Sequence, residues 1–197
     1  PLTVGAEQYL YGTNDFIYIY DTRESVYALS DVMMVFKHPD AKLVLENGKI
    51  RELFKTVHKD CELSFLTLKD NIGHKAYVRT AIMILLKAIH DVYGKGNVPK
   101  VKVEFAIGQG YYCDVRTEEK LTEQKVKQIA RRMRELVNQD LPVKKKSYPI
   151  EEARALFREH KMEDKEKLFR YRRSSFVNVY CLDGYYDYYY GFMLPST

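Results

Sequence analysis

Arg79 is the residue whose surroundings most constrain its chemistry. It lies in the run from His74 to Tyr93, one helical turn before Met83, and Ala81 to Leu86 are apolar without a break. A guanidinium in such a setting must be ion-paired or must face a polar cleft, because burying it alone is too costly. Asp187 is the partner we expect. Arginine stays protonated at neutral pH, so it serves as neither a base nor an ordinary metal ligand. The chemistry left to it is recognition of a phosphate or carboxylate.

Other reactive residue types carry weaker signals. Cys61, Cys113 and Cys181 are an odd, widely spaced set with no C-x-x-C, which fits a reducing cytoplasm and neither a disulfide frame nor a zinc knuckle. His74 has Val78 four residues on, and Cys181 has Tyr185. Gly108-Gln109-Gly110 invites a phosphate-loop reading, but a strand rather than a helix is expected after it, so a hairpin turn fits better. No G-x-x-x-x-G-K-[ST] occurs, so the chain carries no phosphate loop of that kind.

The net charge of +5 is unevenly spread, since Leu121 to Arg173 alone hold 16 Lys/Arg against 9 Asp/Glu. A basic half points to a polyanion such as RNA, or else to a solvated helical face. Six of the 17 tyrosines fall between Tyr180 and Tyr190. They suit both faces of a hairpin, with the ring packed and the hydroxyl wet, or an RNA-stacking platform.

Positioning these residues requires a scaffold. The run from His74 to Tyr93 reads as a helix apolar nearly all round, hence a buried spine, and its charged ends make it too polar to span a bilayer. Before it, Phe16 to Tyr20 reads as a strand and Ser25 to Phe36 as a short helix. Lys42 to Glu46 and Lys49 to Leu53 read as a hairpin on Asn47-Gly48, and Glu62 to Leu68 as a further strand. Residues 1 to 14 show little periodicity. Asp70 or Asn71 is positioned to cap the spine. After it, Val101, Val103, Phe105 and Ile107 alternate along one half-buried strand, paired with Tyr111 to Val115. Thr122 caps a second helix, Leu121 stapling onto Val126, with Val126, Ile129, Ala130, Met133, Leu136 and Val137 as its apolar stripe. Pro149 opens a third helix with Ile150, Ala153, Leu156 and Phe157 inside, and Glu163 to Arg170 a fourth. Ser175 to Leu182 and Tyr185 to Tyr190 close the chain as a hairpin on Asp183-Gly184. The order implies an α+β fold: a small β-module over residues 1–69, then residues 70–197 as a larger antiparallel sheet packed on a long central helix.

This order, with the motifs on it, resembles a known family. Asn47-Gly48-Lys49-Ile50-Arg51-Glu52-Leu53 looks like the ubiquitin-like TGS module of threonyl-tRNA synthetases. The chain beyond that module resembles the editing domain those enzymes share with alanyl-tRNA synthetases. The carrying residues are Lys69-Asp70 … Gly73, Gly110-Tyr111-Tyr112-Cys113-Asp114-Val115, Leu121-Thr122, Arg132-Met133-Arg134-Glu135-Leu136, Leu141-Pro142-Val143, Glu152-Ala153-Arg154 and Asp187 … Gly191 … Pro195-Ser196-Thr197. Together they span about residues 40 to 197.

The resemblance implies a hydrolytic site built from an H-x-x-x-H pair on the long helix and a C-x-x-x-H pair near the end. Carried over position by position, the first pair falls on Arg79 and Met83, the second on Tyr189 and Met193. All four are changed, and none of the replacements activates water at neutral pH or suits a zinc ion. The expectation is therefore no catalytic residue, no metal and no deacylation of mischarged tRNA. Long nucleoside kinases of the uridine kinase type carry a similar region ahead of their kinase domain. Their Tyr-x-Arg and Asp-Tyr-x-Tyr-Gly-x-Met-x-Pro-Ser-Thr runs match Tyr77-Val78-Arg79 and Asp187 to Thr197. This implies a non-catalytic N-terminal region, with ATP and Mg expected only in a downstream kinase domain of the same polypeptide. It also implies a cytoplasmic setting and no membrane. If the ancestral cleft persists, Tyr77, Arg79, Met83, Asp187, Tyr188, Tyr189 and Met193 would line an aromatic-walled anion pocket, suited to stacking on a base or ring with Arg79 on a phosphate or carboxylate, as in a nucleotide or tRNA ligand. The alternative is a structural Arg–Asp pair under a tyrosine-rich core. Lys127, Arg131, Arg132 and Arg134 are the expected contacts to a tRNA backbone. A tRNA-binding or editing fragment of a threonyl-tRNA synthetase-like protein is the competing reading.

Overall fold

The computed structural model describes residues 10–13, 16–19, 27–29, 40–57, 61–94, 99–108, 110–117 and 120–197. The chain divides into two compact units, Pro1–Thr80 with Tyr189–Pro195, and Ala81–Tyr188 with Ser196–Thr197. Its class is mixed α and β, and the strands pair antiparallel throughout the described residues.

In the first unit the strands are Leu10–Thr13 (β1), Phe16–Ile19 (β2), Tyr27–Ala28 (β3), Leu43–Glu46 (β4), Lys49–Glu52 (β5), Thr56–Val57 (β6) and Cys61–Leu66 (β7). Five of them form a sheet in the order β1-β2-β7-β4-β5, and β3 pairs with β6. The turn expected at Asn47-Gly48 is present, with φ of 48° and 76°, the pair of left-handed residues that a type I′ turn demands. Asn47 also accepts the Glu62 N–H on its side-chain oxygen at 2.9 Å, tying the turn to β7. Cys61, Leu63 and Phe65 share one face of β7 by the two-residue period and pack with Leu29, Val44, Leu53 and Val57 as the core of the unit.

Three expectations for this unit change. A strand, β1, occupies part of the stretch that shows little periodicity, and β6 is a further unexpected strand. Tyr27–Ala28 is a strand rather than helix, because it pairs with Thr56–Val57. Residues 25, 26 and 30–36 of the helix expected there lie outside the described residues.

The spine is the helix Asn71–Tyr93 (α1), and the division between the units falls within it, after Thr80. Asp70 stands before its first residue. The Asp70 carbonyl accepts the His74 N–H at 2.8 Å, while its carboxylate turns back to accept the Thr67 N–H at 2.6 Å. The helix is not buried all round. Gly73, Ala76, Thr80, Met83, Ile84, Lys87 and Ala88 are buried and recur at three- and four-residue spacing, which is one stripe, and Ile89 is buried beside its end. The remaining apolar side chains are mostly half-buried.

In the second unit, Lys100–Ile107 (β8) and Gly110–Arg116 (β9) form a hairpin. The register shifts between Val103 and Phe105. The bulge ends the single inward face expected from the alternation. Val101 and Val103 are half-buried, whereas Phe105 and Ile107 are exposed and Phe105 stacks on Tyr112 at 5.4 Å. Glu123–Asn138 (α2) is capped by Thr122, whose hydroxyl accepts the Lys125 N–H. Leu121, Val126 and Val137 are exposed, so the expected staple and the outer part of the stripe are not packed, and Ile129 and Leu136 carry the burial.

Lys144–Pro149 (β10), which ends on the Pro149 expected to open the third helix, is an edge strand of a three-stranded sheet in the order β10-β11-β12, with Phe176–Leu182 (β11) and Tyr185–Asp187 (β12). The antiparallel sheet of this unit is thus two separate ladders. Asp183-Gly184 turns the β11–β12 hairpin with φ of 45° and 76°. Ile150–Glu159 (α3) and Glu163–Arg170 (α4) cover one sheet face through Ala153, Phe157, Phe169, Val177 and Val179. The other face meets α1 through His90 against Tyr185 at 5.8 Å and Lys87 with Asp183 at 3.3 Å.

Candidate functional site

The candidate residues fall into both units. Tyr77, Arg79, Tyr189 and Met193 belong to the first, and Met83, Asp187 and Tyr188 to the second.

Arg79 lies against the segment that returns at the end of the chain. Its Nη1 donates to the Phe192 carbonyl at 3.3 Å. The guanidinium is so close to Gly191 that a Cβ there would stand 2.6 Å from Arg79 Cζ. Its neighbours in sequence hold the same segment. Thr80 donates its hydroxyl to the Ala76 carbonyl at 3.0 Å and accepts the Leu194 N–H at 2.9 Å. The Glu52 carboxylate, 3 % exposed, accepts the Met193 N–H at 3.5 Å. Met193 is buried and Met83 fully so. Tyr77, two positions from Arg79, is about 200° away around the helix; it is exposed and lies 6.4 Å from the His74 ring. Arg79 and Tyr77 therefore do not line one wall.

Asp187 is buried and has its cation within its own unit: Lys165 Nζ stands 3.1 Å from the carboxylate, which also accepts the Tyr188 N–H at 2.7 Å. The Tyr188 ring meets Phe169 edge-on at 5.1 Å, and the Arg172 guanidinium lies over it at 5.0 Å. Burial, then the charges of Asp187 and Asp164, hold the Tyr185 hydroxyl well above the usual phenol range, so it is neutral at physiological pH. Arg79 thus donates to a backbone carbonyl and not to Asp187, the partner expected for it, and Asp187 has a lysine of α4 instead.

The basic helix α2 brings its own counter-charges. Lys127 pairs with Glu123 at 2.6 Å and Arg131 with Glu135 at 3.1 Å. Arg132 reaches Asp91 at 2.9 Å and Glu135 at 3.3 Å. The hydrogen bond to Asp91, then that to Glu135, raises the Arg132 pKa further above its already high value. Asp91 in turn holds Lys87, buried within α1, at 2.7 Å. Arg132 is thereby a structural cation. Among the described residues Arg134, exposed, has no carboxylate in range.

Among the described residues no three His, Cys, Asp or Glu side chains are grouped to hold a metal ion, and no helix is long and apolar enough to cross a membrane. What the Arg79 region offers chemically is a fixed cation beside backbone polar groups, with the Glu52 carboxylate and the Thr80 hydroxyl both accepting main-chain N–H groups of the same segment. Thr80, Glu52 and Gly191 are the parts that sequence reasoning missed; Thr80 and Glu52 act on main-chain groups more than a hundred residues away, and Gly191 faces the equally distant Arg79 side chain.

Over most of its length the chain is similar to part of threonine–tRNA ligases. It is 34 % identical to that of Thermotoga maritima over 154 residues, which is 77 % of this chain and 23 % of the relative. It is 34 % identical to that of Thermotoga petrophila over 141 residues, 68 % of this chain and 22 % of the relative. It is 30 % identical to that of Clostridium kluyveri over 154 residues, 77 % and 23 %. The chain thus spans less than a quarter of the length of these curated relatives. No family model matches it.

Proposed function

We propose that this chain is a non-hydrolytic, synthetase-editing-like region that binds a ligand instead of deacylating tRNA, and that it precedes the kinase domain of a cytoplasmic nucleoside kinase. The observation that carries the first half is the setting of Arg79. It occupies the place that the resemblance gives to the first histidine, and its guanidinium is committed to the Gly191–Phe192 backbone. Met83 and Met193, buried in two other positions of the set, are thioethers, and neither they nor a protonated guanidinium activates water at neutral pH. The second half is supported by the Tyr77-Val78-Arg79 and Asp187 to Thr197 runs. ATP and Mg belong to the kinase domain in this reading.

A second reading, a tRNA-binding or editing fragment of a threonyl-tRNA synthetase-like protein, draws on the same similarity to threonine–tRNA ligases.

Incubating the protein with mischarged tRNA, with and without added zinc, should give no deacylation above the spontaneous rate. Enzymatic release of the amino acid would sink the non-hydrolytic reading. ATP-dependent phosphorylation of uridine by the full-length polypeptide supports the kinase setting. ATP-dependent attachment of threonine to tRNA by that polypeptide would replace it with the second reading.

A further inference from the structure

We propose that β9 pairs antiparallel with β9 of a second copy of this chain, joining two β8–β9 hairpins into one four-stranded sheet. The surface shares no residue with the Arg79 region and does not rest on the reading given above.

The β8–β9 hairpin is a sheet of its own, with no further strand on either edge among the described residues. Its outer half stands clear of the unit. Residues 104–108 and 110–112 are all exposed, and among them are Phe105, Ile107, Tyr111 and Tyr112. A lone two-stranded ribbon is marginally stable in water. Exposed apolar side chains gathered in one place mark a contact surface.

The strand edges of this unit differ in protection. Edges are ordinarily blunted by lysine, proline, a bulge or shortness. β10 carries Lys144, Lys145 and Lys146 and ends on Pro149, and β12 has only three residues. β8 carries Lys100, Lys102 and Glu104, and the bulge lies on it. β9 has seven residues, no proline and no extra residue, and Gly110 to Cys113 bear no charge. One edge of the hairpin is therefore open and the other guarded, so pairing through the open edge closes at two copies.

Charge selects the occupant. Residues 105–112 hold no charged side chain, so a nucleic acid or a charged peptide finds no counter-charge there. An identical uncharged edge is the complement. Pairing Gly110–Arg116 with itself over its full length sets Cys113 opposite Cys113 of the second copy. Tyr111 then meets Val115, and Tyr112 meets Asp114. Cross-strand partners share a face, and within the hairpin Ala106 faces Tyr111, Val103 faces Cys113 and Val101 faces Val115. One row of the joined sheet thus reads Ala106, Tyr111, then Val115 and Val101 of the second copy. The central row is Val103 and Cys113 with the same two residues of the second copy. Both rows are apolar, and exposed Ala106 and Tyr111 continue into half-buried valines. On the other face Tyr112, stacked on Phe105, meets an Asp114 that its own Arg116 neutralises at 2.8 Å. Other registers that keep the faces matched fit less well. Centring on Asp114 sets two carboxylates against each other, and centring on Tyr112 leaves only Gly110 to Asp114 overlapping.

The test is sedimentation velocity of the 197-residue chain over a wide concentration range, where a reversible monomer–dimer equilibrium is expected. Tyr112→Asp should weaken the dimer about tenfold or more, because it places like charges opposite each other. Tyr112→Lys should keep it within about twofold, because the new cation faces Asp114. Phe176→Asp, at an exposed apolar site on another sheet, should leave it unchanged. These side chains are exposed, and thermal melts confirm that the variants fold. Facing residues on paired strands lie within disulfide range, so copper–phenanthroline oxidation should give a covalent dimer that Cys113→Ser abolishes. Five results would each overturn the proposal: a monomer at every concentration, including one that instead binds a strand-forming uncharged peptide; a mass that climbs past the dimer; equal weakening by Phe176→Asp; equal effects of Tyr112→Asp and Tyr112→Lys; or no covalent dimer through Cys113. None of these bears on deacylation or on the kinase setting, so the two readings fail separately.

Discussion

The guanidinium of Arg79 and the α-carbon of Gly191 exclude any side chain between them. A Cβ at Gly191 would lie 2.6 Å from Cζ and 2.9 Å from both Nη atoms. Gly191 also has φ of 132°, a region that L side chains rarely adopt. Gly191→Ala should therefore cost about 1–3 kcal/mol of stability in backbone strain, plus whatever displaces Arg79. Because Arg79 presents the far end of a flexible side chain, the second cost should vanish in an Arg79→Ala background. Urea unfolding of the two single variants and the double variant measures this. Strictly additive losses would show that the guanidinium does not press on Gly191 in solution.

Gly73 makes the opposite case, since its neighbour is backbone. Alanine within a helix is normally about 1 kcal/mol better than glycine. Here a Cβ would stand 2.0 Å from the Thr67 carbonyl oxygen and 2.8 Å from its carbon. That loop is itself fixed by the Asp70 carboxylate on the Thr67 N–H and hydroxyl. Gly73→Ala should thus reverse the usual sign and destabilise by roughly 3 kcal/mol, at the upper end for overpacking. A neutral or stabilising result in thermal melts would mean that the Thr67–Asp70 turn yields.

These two glycines mark what is legible from sequence. Asn47-Gly48 and Asp183-Gly184 are readable because a type I′ turn is a local demand, written in the two residues that make it. The same holds for the Thr122 cap, satisfied three residues on by Lys125. Strand β10 is not readable, because Lys144-Lys145-Lys146 look like solvated surface until β11 supplies the ladder. Neither is the bulge that turns Phe105 and Ile107 outward. The position of Arg79 as the place to look is legible from its surroundings in the run. Its partner is not, because a backbone carbonyl 113 residues away has no signature in residue type. By charge alone Asp187 is the better match for Arg79, yet Lys165 on α4 meets it.

The ion pairs of Lys87 and Arg132 share one carboxylate. Lys87 Nζ is 2.7 Å and Arg132 Nε 2.9 Å from Asp91. Either cation alone keeps Asp91 compensated, so Lys87→Met and Arg132→Met should each cost only about 1 kcal/mol. Together they leave a carboxylate that is 20 % exposed without either cation. The double variant should lose about 1–2 kcal/mol more than the sum. Additive losses in urea unfolding would mean that Asp91 is solvated well enough to need neither.

Glu166 gives stability an acid limb with a traceable cause. Arg154 stands 2.9 Å and Arg158 3.2 Å from its Oε1. Hydrogen bonds from Arg154 first, then Arg158, hold the carboxyl below the usual glutamate range. A carboxyl lowered on folding stabilises the native state fully above its unfolded value of about 4.3, and that contribution disappears as pH falls through the lower, folded value. The urea midpoint of the unaltered chain should therefore drop more steeply below about pH 4.3 than that of Glu166→Gln, with parallel curves from neutrality to about pH 5. All other carboxylates are the same in both proteins and cancel in the comparison. Arg154→Met should flatten the acid limb in the same way, since it removes the larger cause. Parallel curves across the whole acid range would show that the Arg154–Glu166 pair is fully screened by solvent.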